Sequence, residues 1–410
     1  MDNSNSAYPT EHALEWARRL VRIPTISKDS NLPLIEVVAD YMRSAGVPIR
    51  LTYNEDRSKA NIFATIGVGK PGGVVLSGHT DTVPWEGQAW SRSPTGADVV
   101  TVDDEERLYG RGSADMKGFI GTVIAQTRTW LDADLPFAIH YAFSYDEEVG
   151  CFGAQGLLAD LKDAGLRPAI CIVGEPTSMV PAIAHKGTYR WRCCVRGKAV
   201  HSSLSPSGVN AIEAAVQVIS HISAMNRNWR ANEKPHEGFD VPYSTAAVCQ
   251  VHGGIADNIV PENCQFHYEF RLLPGADPER IQRLIVDHAA TIEEGMNAVS
   301  KTSGFRFEPI IAVPAFQAHP DDPAVQLSRH LALTNQTTLV AFGTEAGLFQ
   351  RAGMSTVVCG PGSIEQAHQA DEYVTLQQLA RCERFLQGLT ELKLGSDVLN
   401  RPGFRGGQLL

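Results

Sequence analysis

Four apolar, strand-like runs in this chain each end in small or turn residues and then in a side chain able to bind a metal. Val74-Val75-Leu76-Ser-Gly leads into His79-Thr-Asp81, and residues 137–143 lead into Ser-Tyr-Asp-Glu147-Glu148. Residues 169–173 lead into Gly-Glu175-Pro, and residues 356–359 pass through Gly-Pro-Gly toward His368. Ligands of an open α/β sheet bind outside the carboxyl ends of its strands, so a sheet built from these runs would gather the side chains on one rim. Helical patterns fall between the strands, at residues 14–21, at 34–45 before Gly46, and at 118–131. Strands apolar on both faces predict a mostly parallel sheet covered by helices, an α/β layer fold.

From about residue 186 to 304 the reading changes to strand (189–195), helix (209–225), strand (245–251), strand (266–272) and helix (278–293), with a further strand near 305–310. This β-α-β-β-α-β order is that of the ferredoxin-like split unit, here an α+β domain inserted into the larger one. The expected division is a discontinuous domain of residues 1–185 and 305–410 around an insert of 186–304. Phe266, Tyr268, Phe270 and Leu272 alternate with His267, Glu269 and Arg271, as in a strand with one buried face. The glycine-rich tail from Gly395 is expected to be loosely held.

A chain of 410 residues exceeds the size of one core, in keeping with two domains. Its 36 basic residues against 46 acidic ones form no Lys/Arg-rich run, which argues against nucleic acid or a membrane surface as partner. Nowhere do about 18 uncharged apolar residues follow one another, and the first residues carry neither a basic head nor an apolar run. A cytoplasmic location is the expectation. The cysteines include no Cys-x-x-Cys pair, and Cys171, Cys193, Cys249 and Cys359 lie in apolar runs, which predicts reduced, buried thiols.

Two histidines with several carboxylates suit zinc or a similar borderline metal better than magnesium or calcium, which prefer all-oxygen shells. A fifth candidate, Asp115, lies in Gly110-Arg-Gly-Ser-Ala-Asp-Met-Lys-Gly118, a glycine-rich turn before a helix. Two neighbouring ions need a bridging carboxylate, and an Asp between the other ligands suits that role. Asp81, two residues after His79, is placed to accept the imidazole's other N–H. Spacing alone does not say which of Glu147 and Glu148 is a ligand and which is left free as a base.

These segments together resemble the zinc aminoacylase/carboxypeptidase family of di-metal amidohydrolases. The resemblance runs over His79-Thr-Asp-Thr-Val-Pro84, Gly110-Arg-Gly-x-x-Asp115-Met-Lys-Gly118, Asp146-Glu-Glu-Val-Gly150, Gly174-Glu-Pro-Thr177 and His368. It implies a catalytic domain with an inserted dimerisation domain, a homodimer, and two zinc ions for which cobalt could substitute. Asp115 would bridge the metals, His79 and Glu175 would hold one, Glu148 and His368 the other, and Glu147 would be the general base beside Asp81. In the insert, His201 of Ala199-Val-His201-Ser-Ser would reach the partner subunit's site and stabilise the oxyanion. Asn258 and Arg271 would hold the carboxylate of a small N-acyl amino acid, a group an arginine fork fits in bidentate fashion.

Within the family, Val241-Pro-Tyr, Val251-His-Gly-Gly254, Arg271-Leu-Leu-Pro-Gly275 and Gly360-Pro-Gly-Ser-Ile364 are similar to the acetylornithine deacetylases. So is Gln366-Ala-His368-Gln-Ala-Asp-Glu-Tyr373; Gly343-Thr-Glu345 departs from that motif, which often has Cys at the place of Gly343. The resemblance implies hydrolysis of N2-acetyl-L-ornithine, with desuccinylases and other N-acyl amino-acid deacylases as the near alternatives. Glu345 is the expected partner of the ornithine side-chain ammonium.

Overall fold

The computed structural model describes residues 6–133 and 135–392, so the tail from Gly395 lies outside the described residues. Two units are resolved by their internal contacts: residues up to Ala184 with Phe316–Val340 and the segment from Thr344, and a second of His185–Ala315 with Ala341–Gly343. The break expected after residue 304 falls instead after Ala315, because the strand Gly304–Val313 pairs along its length with Gly187–Arg196.

The first unit is organised on a nine-stranded sheet. Its centre is four parallel neighbours, in the order Ile139–Ser144, Val74–His79, Ile170–Pro176 and Ser355–Gly360. The first three are buried at every position, as expected of strands covered on both faces. Antiparallel strands flank them, with Ala60–Ile66 and Ile49–Tyr53 on one side. Helix Leu32–Ser44 covers the sheet through the stripe Leu34, Ile35, Val38, Ala39 and Met42, each side chain contributing about 1.5–3 kcal/mol on burial where it is large. It stops at Gly46, whose φ of +75° suits a residue without a Cβ. The helix expected over 118–131 is broken at Gln126 into Gly118–Ala125 and Thr127–Asp132.

In the second unit four antiparallel strands stand in the order Thr245–Gly253, Asn263–Leu272, Gly187–Arg196, Gly304–Val313. Helices Ala211–Asn232 and Pro278–Val299 complete the β-α-β-β-α-β unit. Phe266, Tyr268, Phe270 and Leu272 are buried against these helices, and the intervening residues are half-buried. All eight cysteines are free. Cys249, expected to be buried, is exposed on the edge strand Thr245–Gly253. Among the described residues no helix is long and apolar enough to cross a membrane.

Candidate metal centre

The four metal-competent segments follow four consecutive strands of one parallel array, so chain direction alone brings them to a common edge. His79 and Glu175 are among the last residues of Val74–His79 and Ile170–Pro176. Glu147 and Glu148 lie in the turn after Ile139–Ser144, and His368 in the loop after Ser355–Gly360. Close approach of the strand ends requires glycine, since a Cβ on Gly360 would stand 1.9 Å from the carbonyl oxygen of Gly174. Asp115 arrives from the turn opened by Gly112 (φ +84°), and its peptide bond to Met116 is cis.

Asp115 stands between the two histidines. His79 Nε2 is 2.8 Å from its Oδ1, and His368 Nε2 is 3.2 Å from its Oδ2. His79 Nε2 also lies 3.7 Å from Glu175 Oε1, and His368 Nε2 lies 3.1 Å from Glu148 Oε2. Two metal-competent groups result, His79 with Asp115 and Glu148, and His79 with Glu147 and Glu175. A split carboxylate with one oxygen toward each histidine is the geometry a bridging ligand needs.

The donor set fits divalent cations on chemical grounds. His79 Nδ1–H donates to the carbonyl oxygen of Asp81 at 2.9 Å, so a neutral ring turns the Nε2 lone pair toward the Asp115 carboxylate. Lone pair facing lone pair at that distance requires a shared cation, either protons or a metal. The Asp81 carboxylate is 3.7 Å from Nδ1. The carboxylate instead accepts the hydroxyl of Ser27 and the backbone N–H groups of Glu147 and Glu148, which fixes the turn carrying both glutamates. Lys59 holds the same turn by donating to Asp146 at 2.6 Å.

Charge crowding sets the protonation of the metal-free cluster. Burial and the neighbouring carboxylates push Glu147, Glu148 and Glu175 above the ordinary range. Burial opposes the imidazolium of His79, yet the hydrogen bond to Asp115 and the surrounding negative charge raise its pKa well above normal. Hydrogen bonds to Asp115 and Glu148 raise His368 to about 10. Burial works against the Asp115 carboxylate, but the two histidines hold its pKa below the usual range. Raised groups stabilise the fold below their unfolded pKa and lose that contribution as pH rises through the folded value; the lowered Asp115 loses its contribution only in acid. For His368 the loss in the metal-free protein runs from about pH 6.5, where a free imidazole titrates, to about 10, and bound cations replace the missing protons. The Tm difference between zinc-loaded and stripped protein should widen across that interval in scanning calorimetry; a constant or narrowing gap contradicts the assignment.

Glu345 is placed differently from expectation. It is 1% exposed at the start of helix Ala346–Arg351 and accepts hydrogen bonds from Ser77 and Ser144. Its two oxygens tie together the strands bearing His79 and the glutamate turn, so the expected pairing with a substrate ammonium is corrected to an internal one. In the second unit His201 is exposed, and its Nδ1 accepts the backbone N–H of Ser203 at 3.3 Å. A neutral ring so held carries its proton on Nε2, as a donor. The bridge between His201 and Ile259 places Asn258 beside that histidine, with its carbonyl accepting the N–H of Ser202. Arg271 donates to Thr188 Oγ1 and to Glu269, and its side chain remains 38% exposed.

This architecture, a parallel sheet with a histidine–carboxylate cluster at its rim, defines the class of an α/β protein with a candidate metal site. Residues 75–392 match the model of peptidase family M20/M25/M40, more than half the chain, and the protein belongs to that family. Among solved structures it is similar to an M20 family metallo-carboxypeptidase from Sulfolobus solfataricus, with TM-score 0.71 and 18% identity over 93% of this chain and 100% of that one. Aminopeptidase PepT from Bacillus cereus aligns at TM-score 0.68 and 19% identity, covering 94% and 99% of the two chains. A dinuclear metal binding peptidase of the M20 family from Bacillus subtilis aligns at TM-score 0.64 and 15% identity, covering 92% and 96%. At these identities the structures show the shared fold. Family membership makes the chain a metallohydrolase of peptide or acyl–amino-acid bonds.

Proposed function

We propose that this protein hydrolyses N2-acetyl-L-ornithine to L-ornithine and acetate, using two zinc ions. The observation carrying the reading is the division of Asp115 between His79 and His368, with Glu147 close to His79 and Glu175. His79 and Glu175 would hold one ion, His368 and Glu148 the other, and Asp115 both. When bound, the ions would lower the pKa of water toward neutrality and polarise the acyl carbonyl. Glu147 takes the proton of the attacking water and delivers it to the leaving amine as the C–N bond breaks. Its raised affinity for a proton, from burial and the neighbouring carboxylates, suits a group that must accept and then release one near neutral pH.

His201, whose Nδ1 accepts the backbone N–H of Ser203, would stabilise the oxyanion from the partner protomer of a homodimer. Arg271 and Asn258 would hold the substrate carboxylate. The acetylornithine reading draws on the deacetylase-like segments around Arg271 and His368, without Glu345. Arg271→Lys should raise KM about 10- to 100-fold, the worth of a charge-assisted bidentate contact, with a smaller change in kcat. An unchanged KM removes Arg271 from the substrate site. Relative turnover of N2-acetyl-L-ornithine, N-succinyl-diaminopimelate and N-acetylmethionine tests the substrate: preference for either of the latter keeps the chemistry and discards the named substrate.

A further inference from the structure

We infer that Glu372, Arg111 and Gln88 form a positioning chain that joins the backbone of Asp115 to that of His368 and so sets the second of the two cation positions. The inference rests on the dinuclear reading and adds residues to it. Glu372 is 1% exposed, and one of its oxygens accepts the backbone N–H groups of Ala114 at 3.0 Å and Asp115 at 3.1 Å. Its other oxygen accepts from Arg111 Nη1 at 2.7 Å. Arg111 Nη2 donates to Gln88 Oε1 at 2.5 Å, and Gln88 Nε2 donates to the His368 carbonyl at 2.8 Å. The indole N–H of Trp90 also donates to Gln88 Oε1, and its ring lies 5.1 Å from the Arg111 guanidinium carbon.

The chain has two chemical consequences. Glu372 is a buried carboxylate beside the Asp115 backbone, and an unclaimed one would compete for a divalent cation; the Arg111 guanidinium claims it. His368 adopts φ +61°, a left-handed conformation that residues with a Cβ seldom take, at the end of a loop. Gln88 fixes the carbonyl of that residue. His79 and Glu175 need no such hold, because they lie at the ends of buried strands. Loosening the Gln88 end of the chain, which holds His368, should therefore weaken the cation shared with Glu148 and His368 and spare the one at His79 and Glu175.

The test is zinc binding to the full chain, by calorimetry and by metal content after equilibrium dialysis, for the parent, Gln88→Ala, Arg111→Lys and the double variant. Gln88 is exposed, so its truncation leaves the core intact. Arg111→Lys keeps a charge for Glu372 and loses the fork that reaches Gln88. Each single variant should bind the first ion as the parent does and the second about 10- to 100-fold more weakly. The double variant should be no worse than the weaker single one, since both act through one chain. With cobalt in place of zinc, the visible spectrum of the second ion alone should shift. Parent-like affinities in both single variants, equal losses at the two positions, or additive losses in the double variant overturn the inference. A parent that binds only one zinc ion overturns the dinuclear reading and this inference with it.

Discussion

Glu147→Gln is expected to lower kcat by about 10²- to 10⁴-fold while leaving two metal ions bound and KM nearly unchanged. The substitution preserves size and removes only the ability to accept a proton. Glu147 lies in the turn that Asp81 fixes through the backbone of both glutamates, so its position should survive the change. The fall corresponds to about 3–5 kcal/mol of barrier, the share ascribed to a positioned acid–base group. Kinetics and metal content measured on the same preparation give the decision. Loss of a metal ion with Glu147→Gln would exchange the roles of Glu147 and Glu148, and near-parental kcat would leave Glu147 outside the chemistry.

Asp115→Asn should act on both ions at once. Its two oxygens address His79 and His368 separately, and an amide offers one oxygen and no net charge. Metal affinity should fall by at least about 100-fold, more than for loss of an outer hydrogen-bond partner, with activity falling in parallel. Glu148→Gln by contrast should affect the ion shared with His368 first. Full retention of two tightly held ions in Asp115→Asn would remove the bridging role.

The convergence of the candidate site is legible in the sequence because parallel strands impose direction. Once residues 74–79, 139–144, 170–176 and 355–360 are read as parallel neighbours, the side chains after their ends must share a rim, whatever the loops do. Side-chain direction is less accessible. The place of Glu345 depends on Ser77 and Ser144, far away in the chain, and nothing local separates a buried tether from a pocket-lining carboxylate. Asp81 lies two residues from His79 in the sequence, yet the choice between its carbonyl and its carboxylate as acceptor depends on Ser27 and the glutamate turn. Glu372 and Arg111 stand inside motifs that the sequence displays, but their pairing across the chain is visible only in the fold. The second unit was legible through its alternating strand around Phe266–Leu272, and its boundary was missed because the strand Gly304–Val313 is recruited by non-local pairing.

The most direct test of the central claim is acetate release from N2-acetyl-L-ornithine by zinc-loaded protein, by the same protein after chelation, and after zinc is restored. The proposed function predicts rapid release that chelation abolishes and zinc returns. Release that persists in protein shown to be free of metal, or none from the zinc-loaded protein, would contradict it.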